Sequence, residues 1–138
     1  MTTGYTATRK GLSKAQIEWV RAHITGTEHH HGCCIGGDAQ LHWIIRDLLP
    51  AARIIGHRMV PGDQQDTLVV LNCDETRDPL PPLVRNKNIV AAVDTMFCFP
   101  GEQTERKRGS GTWATIRYAR SVGVKHIIIY PDGSVSHV

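Results

Sequence analysis

The sequence predicts a single α/β domain spanning residues 1–138, with a Rossmann-like, doubly wound, mostly parallel sheet of about five strands and helices on both faces. Strand-like runs alternate with helix-like runs along most of the chain, which favours parallel strands joined by right-handed crossovers. The predicted strand 95–99 is apolar after its first residue, as expected for a strand buried on both faces. A length of 138 residues and an apolar content of 41% suit one globular domain.

The first half of the chain carries three predicted strands and two predicted helices. Ser13 and Gln16 form a capping box, in which two side chains satisfy the bare N–H groups at a helix start. The Gly36-Gly37-Asp38 turn opens the second helix, which ends before Pro50. In chain order the ranges are strand 4–8, helix 13–23, strand 27–31, helix 36–49 and strand 52–57.

The second half begins with a proline-rich segment from Arg58 to Pro82, which is predicted to be irregular apart from a short strand at 68–71. Pro81 and Pro82 open the third helix, because proline is favoured in the first turn. The last helix is predicted to begin within two residues of Gly111. The remaining ranges are helix 81–93, strand 95–99, a helix ending at 122, strand 124–130 and a short terminal strand at 134–138.

The composition argues against several classes of protein. The formal net charge of +3 permits an anionic ligand, but Lys and Arg are scattered apart from Arg106–Arg108, which argues against a nucleic-acid partner. No apolar run reaches 18 residues and the N-terminus lacks an apolar signal core, so no membrane association is expected. The four cysteines show no framework spacing, which indicates reduced thiols in a cytoplasmic protein.

A small-residue turn precedes the last predicted helix, and its residues are Arg108, Gly109, Ser110, Gly111 and Thr112. Such a turn lets a ligand approach the bare N–H groups of the helix start, where the helix dipole favours phosphate. Three consecutive basic residues, 106–108, add positive charge. The turn therefore predicts a phosphate-bearing ligand, most simply a nucleotide. The alternative is a glycine turn that only connects two elements.

The other candidate contacts lie where a doubly wound sheet binds its ligands, beyond the carboxyl ends of the strands at the point where the strand order reverses. They are Thr6, Thr8, Arg9, Gly36, Gly37, Asp38, Arg85 and Asn86. Hydroxyl and guanidinium groups suit phosphate, and Asp38 suits a hydrogen bond to a ribose or a base. The alternatives are solvated loop residues, a surface arginine, a glycine turn, and polar residues that only stabilise a helix start.

His29–His31 and Cys33–Cys34 form a contiguous run of residue types that bind metals. Structural zinc ligands usually come as pairs separated by about two to four residues, with a second pair elsewhere. Neighbours on a strand point to opposite faces, so a contiguous run does not converge on one ion. We therefore predict no metal and no cofactor, and interpret the run as a strand end that carries polar side chains into the cleft.

Four blocks together resemble the SLOG superfamily, in particular its small bacterial and phage members. They are GYTATR at 4–9, HHGCCIGGDA at 30–39, RNKNIV at 85–90 and RGSGTWAT at 108–115. The superfamily includes the Lonely Guy phosphoribohydrolases, the molybdenum-cofactor carrier proteins and the DNA-processing protein A domain. The resemblance covers nearly the whole chain and implies a Rossmann-like domain that binds nucleotides or molecules derived from them.

The resemblance to Lonely Guy enzymes also implies where a catalytic residue would lie. In those enzymes a glutamate that supports cleavage of an N-glycosidic bond stands three residues after the threonine of the last glycine turn. Gly111-Thr112 matches the turn, but the corresponding position here is Thr115. Such cleavage needs a carboxylate, so the candidate catalytic residues in this chain are Asp38 first and Glu105 second.

Two functions remain open from the sequence. The first is a nucleotide-binding module without catalysis, which acts as a sensor, a carrier or a sequestering protein. The second is an N-glycosidic hydrolase acting on a nucleoside monophosphate or an ADP-ribose-like substrate. A DNA-associated role has less support, because no basic stripe with interleaved aromatic residues is present. Members of the superfamily dimerise or tetramerise, and the sequence leaves homo-oligomerisation open.

Overall fold

The computed structural model describes residues 1–60 and 72–137, which form a seven-stranded α/β sheet flanked by four helices. The strands are β1 (Thr2–Ala7), β2 (Glu28–His31), β3 (Arg53–Met59), β4 (Glu75–Leu80), β5 (Thr95–Phe99), β6 (Lys125–Ile129) and β7 (Val135–His137). The helices are α1 (Lys14–His23), α2 (Gly37–Leu48), α3 (Pro82–Ala92) and α4 (Gly111–Val122). The predicted Rossmann-like α/β class is confirmed.

The strand order is β4-β3-β2-β1-β5-β6-β7, and every pair is parallel except β6 with β7. The chain builds outward from β1 to β4, returns through α3, and adds β5 on the other side of β1. The strand order therefore reverses between β1 and β5. In sheets of this type the ligand site lies beyond the carboxyl ends of the strands at this point.

Each face of the sheet has its own hydrophobic core. One core joins α1 and α2 to the sheet and includes Tyr5, Leu41 and Phe99. The other joins α3 and α4 to the sheet and includes Met96 and Trp113. Successive strand residues point to opposite faces, so β5 contributes to both cores. This two-sided burial is what the apolar run at 95–99 predicted.

The helix starts follow local sequence signals. Ser13 caps α1 by accepting a hydrogen bond from the Gln16 N–H, and the Gln16 side chain accepts one from the Ser13 N–H, as the predicted capping box requires. Helix α4 begins at Gly111, as predicted, and Ser110 caps it. It ends at Gly123, whose φ of 76° favours glycine because side chains rarely adopt that backbone conformation.

Two differences from the prediction concern strands. The sheet has seven strands in the described residues rather than about five. Strand β4 lies in the segment expected to be irregular, and its sequence, ETRDPL, is polar and mostly exposed because β4 is an edge strand. Pro79 fits there, since an edge strand tolerates a missing N–H. The strand expected at 68–71 lies outside the described residues.

Within residues 1–60 and 72–137, none of the helices combines the length and the apolar character needed to cross a membrane.

Candidate ligand-binding cleft

A cleft of about 600 Å³ opens where the strand order reverses, at the carboxyl ends of β1 and β5. We call it the switch-point cleft. Four segments line it: the loop after β1, the loop after β2, the first turns of α3, and the loop from β5 into α4. Its cationic lining residues are Arg9, Lys10, Arg85, Arg106, Lys107, Arg108 and Arg117, against the two carboxylates Asp38 and Glu102. The cleft is therefore suited to an anionic ligand.

The N-terminus of α4 forms one wall of this cleft. The Trp113 N–H donates to Ser110 Oγ at 3.1 Å, and the Ala114 N–H donates to the Ser110 carbonyl at 3.1 Å. Helix geometry leaves the N–H groups of Gly111 and Thr112 without an intrahelical acceptor. A Cβ placed on Gly111 would have Asn86 Nδ2, at 4.0 Å, as its nearest described neighbour. The helix start therefore has room for a ligand, and its dipole favours an anion.

The loop after β1 lies at the other side of the switch point. The Thr8 N–H donates to the Phe99 carbonyl at 2.9 Å and extends the β1–β5 pairing past the end of β1. Thr8 Oγ1 accepts a hydrogen bond from the Lys10 N–H at 3.2 Å. The structure thus brings Thr6, Thr8 and Arg9 to the cleft lined by the glycine turn.

Gly36 and Gly37 hold the second helix against this loop and are not among the described residues that line the cleft. A Cβ on Gly36, whose φ is +80°, would lie 2.2 Å from the Arg9 carbonyl oxygen. A Cβ on Gly37 would lie 2.3 Å from the Ala7 Cβ, and the Gly37 N–H donates to the Thr8 carbonyl at 2.9 Å. The two glycines thus allow the close approach that brings Asp38 to the cleft.

Asp38 is a buried carboxylate at the floor of the cleft. Its Oδ2 accepts hydrogen bonds from the N–H groups of Gly32 at 3.1 Å and Cys34 at 3.4 Å. Its Oδ1 is buried and has no hydrogen-bond partner among the described residues. Burial raises the pKa of this carboxyl group, while the Arg85 guanidinium and the N–H donors of Cys34 and Gly32 act in the opposite direction. Asp38 therefore keeps one oxygen that no described donor satisfies.

Arg85 lines the cleft but is buried, so it is not the surface arginine that the sequence left open. Its hydrogen bonds connect the walls of the cleft. Its Nη1 donates to the carbonyls of Gly32, at 2.5 Å, and His57, at 3.1 Å. Its Nε donates to Asn86 Oδ1 at 2.7 Å, which orients the Asn86 amide. The guanidinium thereby links α3 to the loop after β2 and to β3.

The two glutamates of the loop before α4, Glu102 and Glu105, lie in different places relative to the cleft. Glu105 forms ion pairs with Arg117 at 3.3 Å and Arg120 at 3.5 Å, and it is not among the described residues that line the cleft. Glu102 lines the cleft, and its Oε1 accepts a hydrogen bond from the Trp113 indole N–H at 3.0 Å. Glu102 was not predicted from the sequence, although its place three residues after β5 was a usable signal.

Thr115, at the position of the Lonely Guy glutamate, is buried and faces its own helix. Its hydroxyl donates to the Gly111 carbonyl at 2.8 Å. Trp113 is also buried and packs in the core. Neither side chain provides an acid or a base at the cleft.

A comparison with protein-family models found no match to this chain, and a comparison with curated proteins found none either.

Proposed function

We propose that the switch-point cleft binds a nucleotide or a nucleotide-derived molecule, and that the chain acts as a sensor, a carrier or a sequestering protein. The observation that carries this proposal is the start of α4, where the N–H groups of Gly111 and Thr112 open into a cleft lined mainly by cationic residues. In this arrangement the phosphate lies against the two N–H groups.

Two further observations support a nucleotide over inorganic phosphate. A volume of about 600 Å³ lies within the range of small-molecule pockets, which is larger than one phosphate group needs. Asp38 lines the cleft and its Oδ1 has no described hydrogen-bond partner, so a small movement of the carboxylate would let it accept from a ribose hydroxyl or a base amine. The resemblance of the four sequence blocks to the SLOG superfamily favours the same class of ligand.

A second candidate function is N-glycosidic hydrolysis of a nucleoside monophosphate or an ADP-ribose-like substrate. Asp38 favours it, because burial raises the pKa of this cleft carboxyl group and a raised pKa suits a general acid. Against it, α4 carries Thr115 where the hydrolases carry glutamate, and the Thr115 hydroxyl bonds to its own helix. Binding without rapid turnover is therefore the primary proposal.

A thermal-shift screen of the wild-type protein tests the primary proposal. The probes are AMP, GMP, cyclic AMP, ADP-ribose and inorganic phosphate, and adenosine is the matched compound without phosphate. A ligand that binds the native state raises stability by mass action, by about 2.7 kcal/mol at a hundredfold excess over Kd. We expect at least one phosphorylated nucleoside to raise Tm more than adenosine does. Equal shifts with AMP and adenosine, or no shift with any nucleotide, would contradict the proposal.

Release of free base from AMP and ADP-ribose separates the two candidate functions. The assay compares wild type with Asp38→Asn and with Glu105→Gln, a carboxylate variant outside the cleft lining. We expect slow or absent release by all three proteins. Rapid release by wild type that Asp38→Asn abolishes, by about a hundred- to ten-thousandfold, would establish the hydrolase instead.

A further inference from the structure

Two imidazoles and one thiol lie close together at the end of β2, and a second thiol lies near them. His31 ends β2 and Cys33 follows two residues later, while His42 comes from α2 and Cys73 precedes β4. His31 Nε2 lies 2.9 Å from His42 Nδ1 and 3.9 Å from Cys73 Sγ, and these three atoms lie within 4.8 Å of one another. Cys33 Sγ is not one of these three donors, but it lies beside Gly56 together with Cys73 Sγ. We call these four residues the His–Cys cluster.

We propose that the His–Cys cluster binds one Zn²⁺ ion with tetrahedral geometry. Zinc–sulfur bonds of about 2.3 Å and zinc–nitrogen bonds of about 2.0–2.1 Å place neighbouring donor atoms about 3.3–3.8 Å apart in a tetrahedron. The observed separations of His31 Nε2 from His42 Nδ1, at 2.9 Å, and from Cys73 Sγ, at 3.9 Å, bracket this range. Small side-chain movements bring these three donors to an ion, and Cys33 must move closer to supply the fourth. Two thiolates with two imidazoles form a donor set typical of structural zinc.

The partner of His42 orients that imidazole towards the cluster. Its Nε2–H donates to Asn72 Oδ1 at 2.6 Å, which leaves the Nδ1 lone pair facing His31 Nε2. Histidines that bind metals usually donate their other ring N–H in this way, and the partner fixes the tautomer. Asn72 therefore holds the His42 ring in the orientation and tautomer that zinc binding through Nδ1 requires.

His31 must change its tautomer to bind an ion. Its Nδ1 accepts a hydrogen bond from the Cys33 N–H at 3.0 Å, which places the ring proton on Nε2 in the metal-free protein. Binding through Nε2 moves this proton to Nδ1 and breaks the bond from Cys33. The lost hydrogen bond, and the loop shift that keeps the Cys33 N–H from facing the new Nδ1–H, are small beside the free energy of structural zinc binding.

The backbone around the two thiols makes room for them. A Cβ on Gly56, in the interior of β3, would lie 2.7 Å from Cys33 Sγ and 2.8 Å from Cys73 Sγ. Glycine within a strand marks such a close approach. Cys33 also has a φ of +57°, a conformation that a residue other than glycine keeps only when its surroundings impose it. Both features bring sulfur atoms towards one point.

His31, His42 and Cys33 are buried and Cys73 is half-buried, so a site closed by Cys33 as its fourth ligand has no open position and points to a structural ion rather than a catalytic one. Such an ion would join β2, α2 and the start of β4. It would also fix Gly32 and Cys34, whose N–H groups hold Asp38 at the cleft floor. The inference stands on the cluster alone and does not depend on the ligand of the cleft.

The test is the zinc content of protein expressed without a polyhistidine tag and purified without chelator. We expect about one Zn²⁺ per chain in wild type, and after chelation a Co²⁺ titration that gives a thiolate-to-cobalt charge-transfer band and tetrahedral d–d bands. Cys73→Ser and His42→Gln should lose most of the bound metal. Cys34→Ser is the matched control, because its thiol faces the Gly32 carbonyl and Arg85 instead of the cluster, so it should keep the metal.

Three results would overturn the inference. One is a wild-type protein that contains no zinc and gives no thiolate-to-cobalt band. Another is a disulfide between Cys33 and Cys73 in protein purified in reducing buffer. The third is an equal loss of metal in Cys34→Ser and Cys73→Ser. Where a ligand variant does not fold, the Co²⁺ titration of wild type decides alone.

Discussion

Replacing Gly111 with alanine and then with valine should weaken ligand binding in proportion to side-chain size while leaving the fold intact. A Cβ at this position would approach only Asn86 Nδ2, at 4.0 Å, among the described residues. The φ of Gly111 is not in the left-handed region, so neither substitution strains the backbone. A side chain there instead occupies the space from which a phosphate reaches the N–H groups of the helix start.

The expected effect of these substitutions on ligand binding is larger than their expected effect on folding, and the two can be measured separately. Removing the conformational freedom of glycine, or adding a β-branched residue at a helix start, changes the free energy of unfolding by no more than about 1 kcal/mol. A hydrogen bond to a charged group contributes about 1.5–3 kcal/mol. Losing one such bond to phosphate weakens binding by about ten- to a hundredfold. We expect the larger loss for Gly111→Val and a smaller one for Gly111→Ala.

Isothermal titration with AMP at low ionic strength measures the binding, and urea unfolding followed by circular dichroism measures the fold. Ser121→Val is the matched control, because it adds a β-branched side chain to an exposed position in the last turn of the same helix. A folded Gly111→Val protein that binds AMP with the wild-type Kd would refute the assignment of phosphate to the start of α4.

Three further perturbations test other parts of the molecule. Gln16→Leu should lower the free energy of unfolding by about 1–3 kcal/mol for each of two buried carbonyls, those of Pro100 and Ile129, that lose their donor; a loss below about 1 kcal/mol in urea unfolding would contradict this. Burial, helped by nearby positive charge, lowers the pKa of His57 to about 3, so the unfolded state binds the proton first and stability falls as pH drops from about 6.5 towards 3. His57→Gln should therefore flatten the pH dependence of the free energy of unfolding between pH 7 and 5, by at most about 1.4 kcal/mol per pH unit; an unchanged slope in urea unfolding would show that other groups cause it. Glu102→Gln removes the carboxylate that pairs with Lys10 at 3.8 Å and Arg106 at 3.6 Å, so it should tighten AMP binding by about 0.2–1 kcal/mol at low salt and by less at high salt; weaker binding in a titration would assign Glu102 a direct contact.

The sequence predicted the parts of the fold that local physics determines. The Ser13 capping box, the start of α4 at Gly111 and the doubly buried strand β5 each follow from residues close in the chain. Strand β4 was missed because its residues are polar, and its pairing depends on tertiary contacts. One of these is the hydrogen bond from the Ile54 N–H to Asp74 Oδ2, at 2.7 Å.

The candidate site was predicted in its outline and missed in its details. Loops after parallel strands meet at one edge of the sheet, so the predicted contact residues other than Gly36 and Gly37 line the cleft together. The buried hydrogen bonds of Arg85 and the position of Glu102 depend on packing between elements, which no local sequence pattern encodes. The His–Cys cluster was missed for the same reason, since His42 and Cys73 are distant in the chain from His31.

Amide-resolved NMR of the wild-type protein during titration with AMP tests the central proposal most directly. We expect the largest chemical-shift changes at the amides of Gly111 and Thr112 and in the loop after β1, with adenosine giving much smaller changes at the α4 start. Changes confined to another surface, such as the edge strand β4, or none at millimolar AMP, would contradict nucleotide binding at the switch-point cleft.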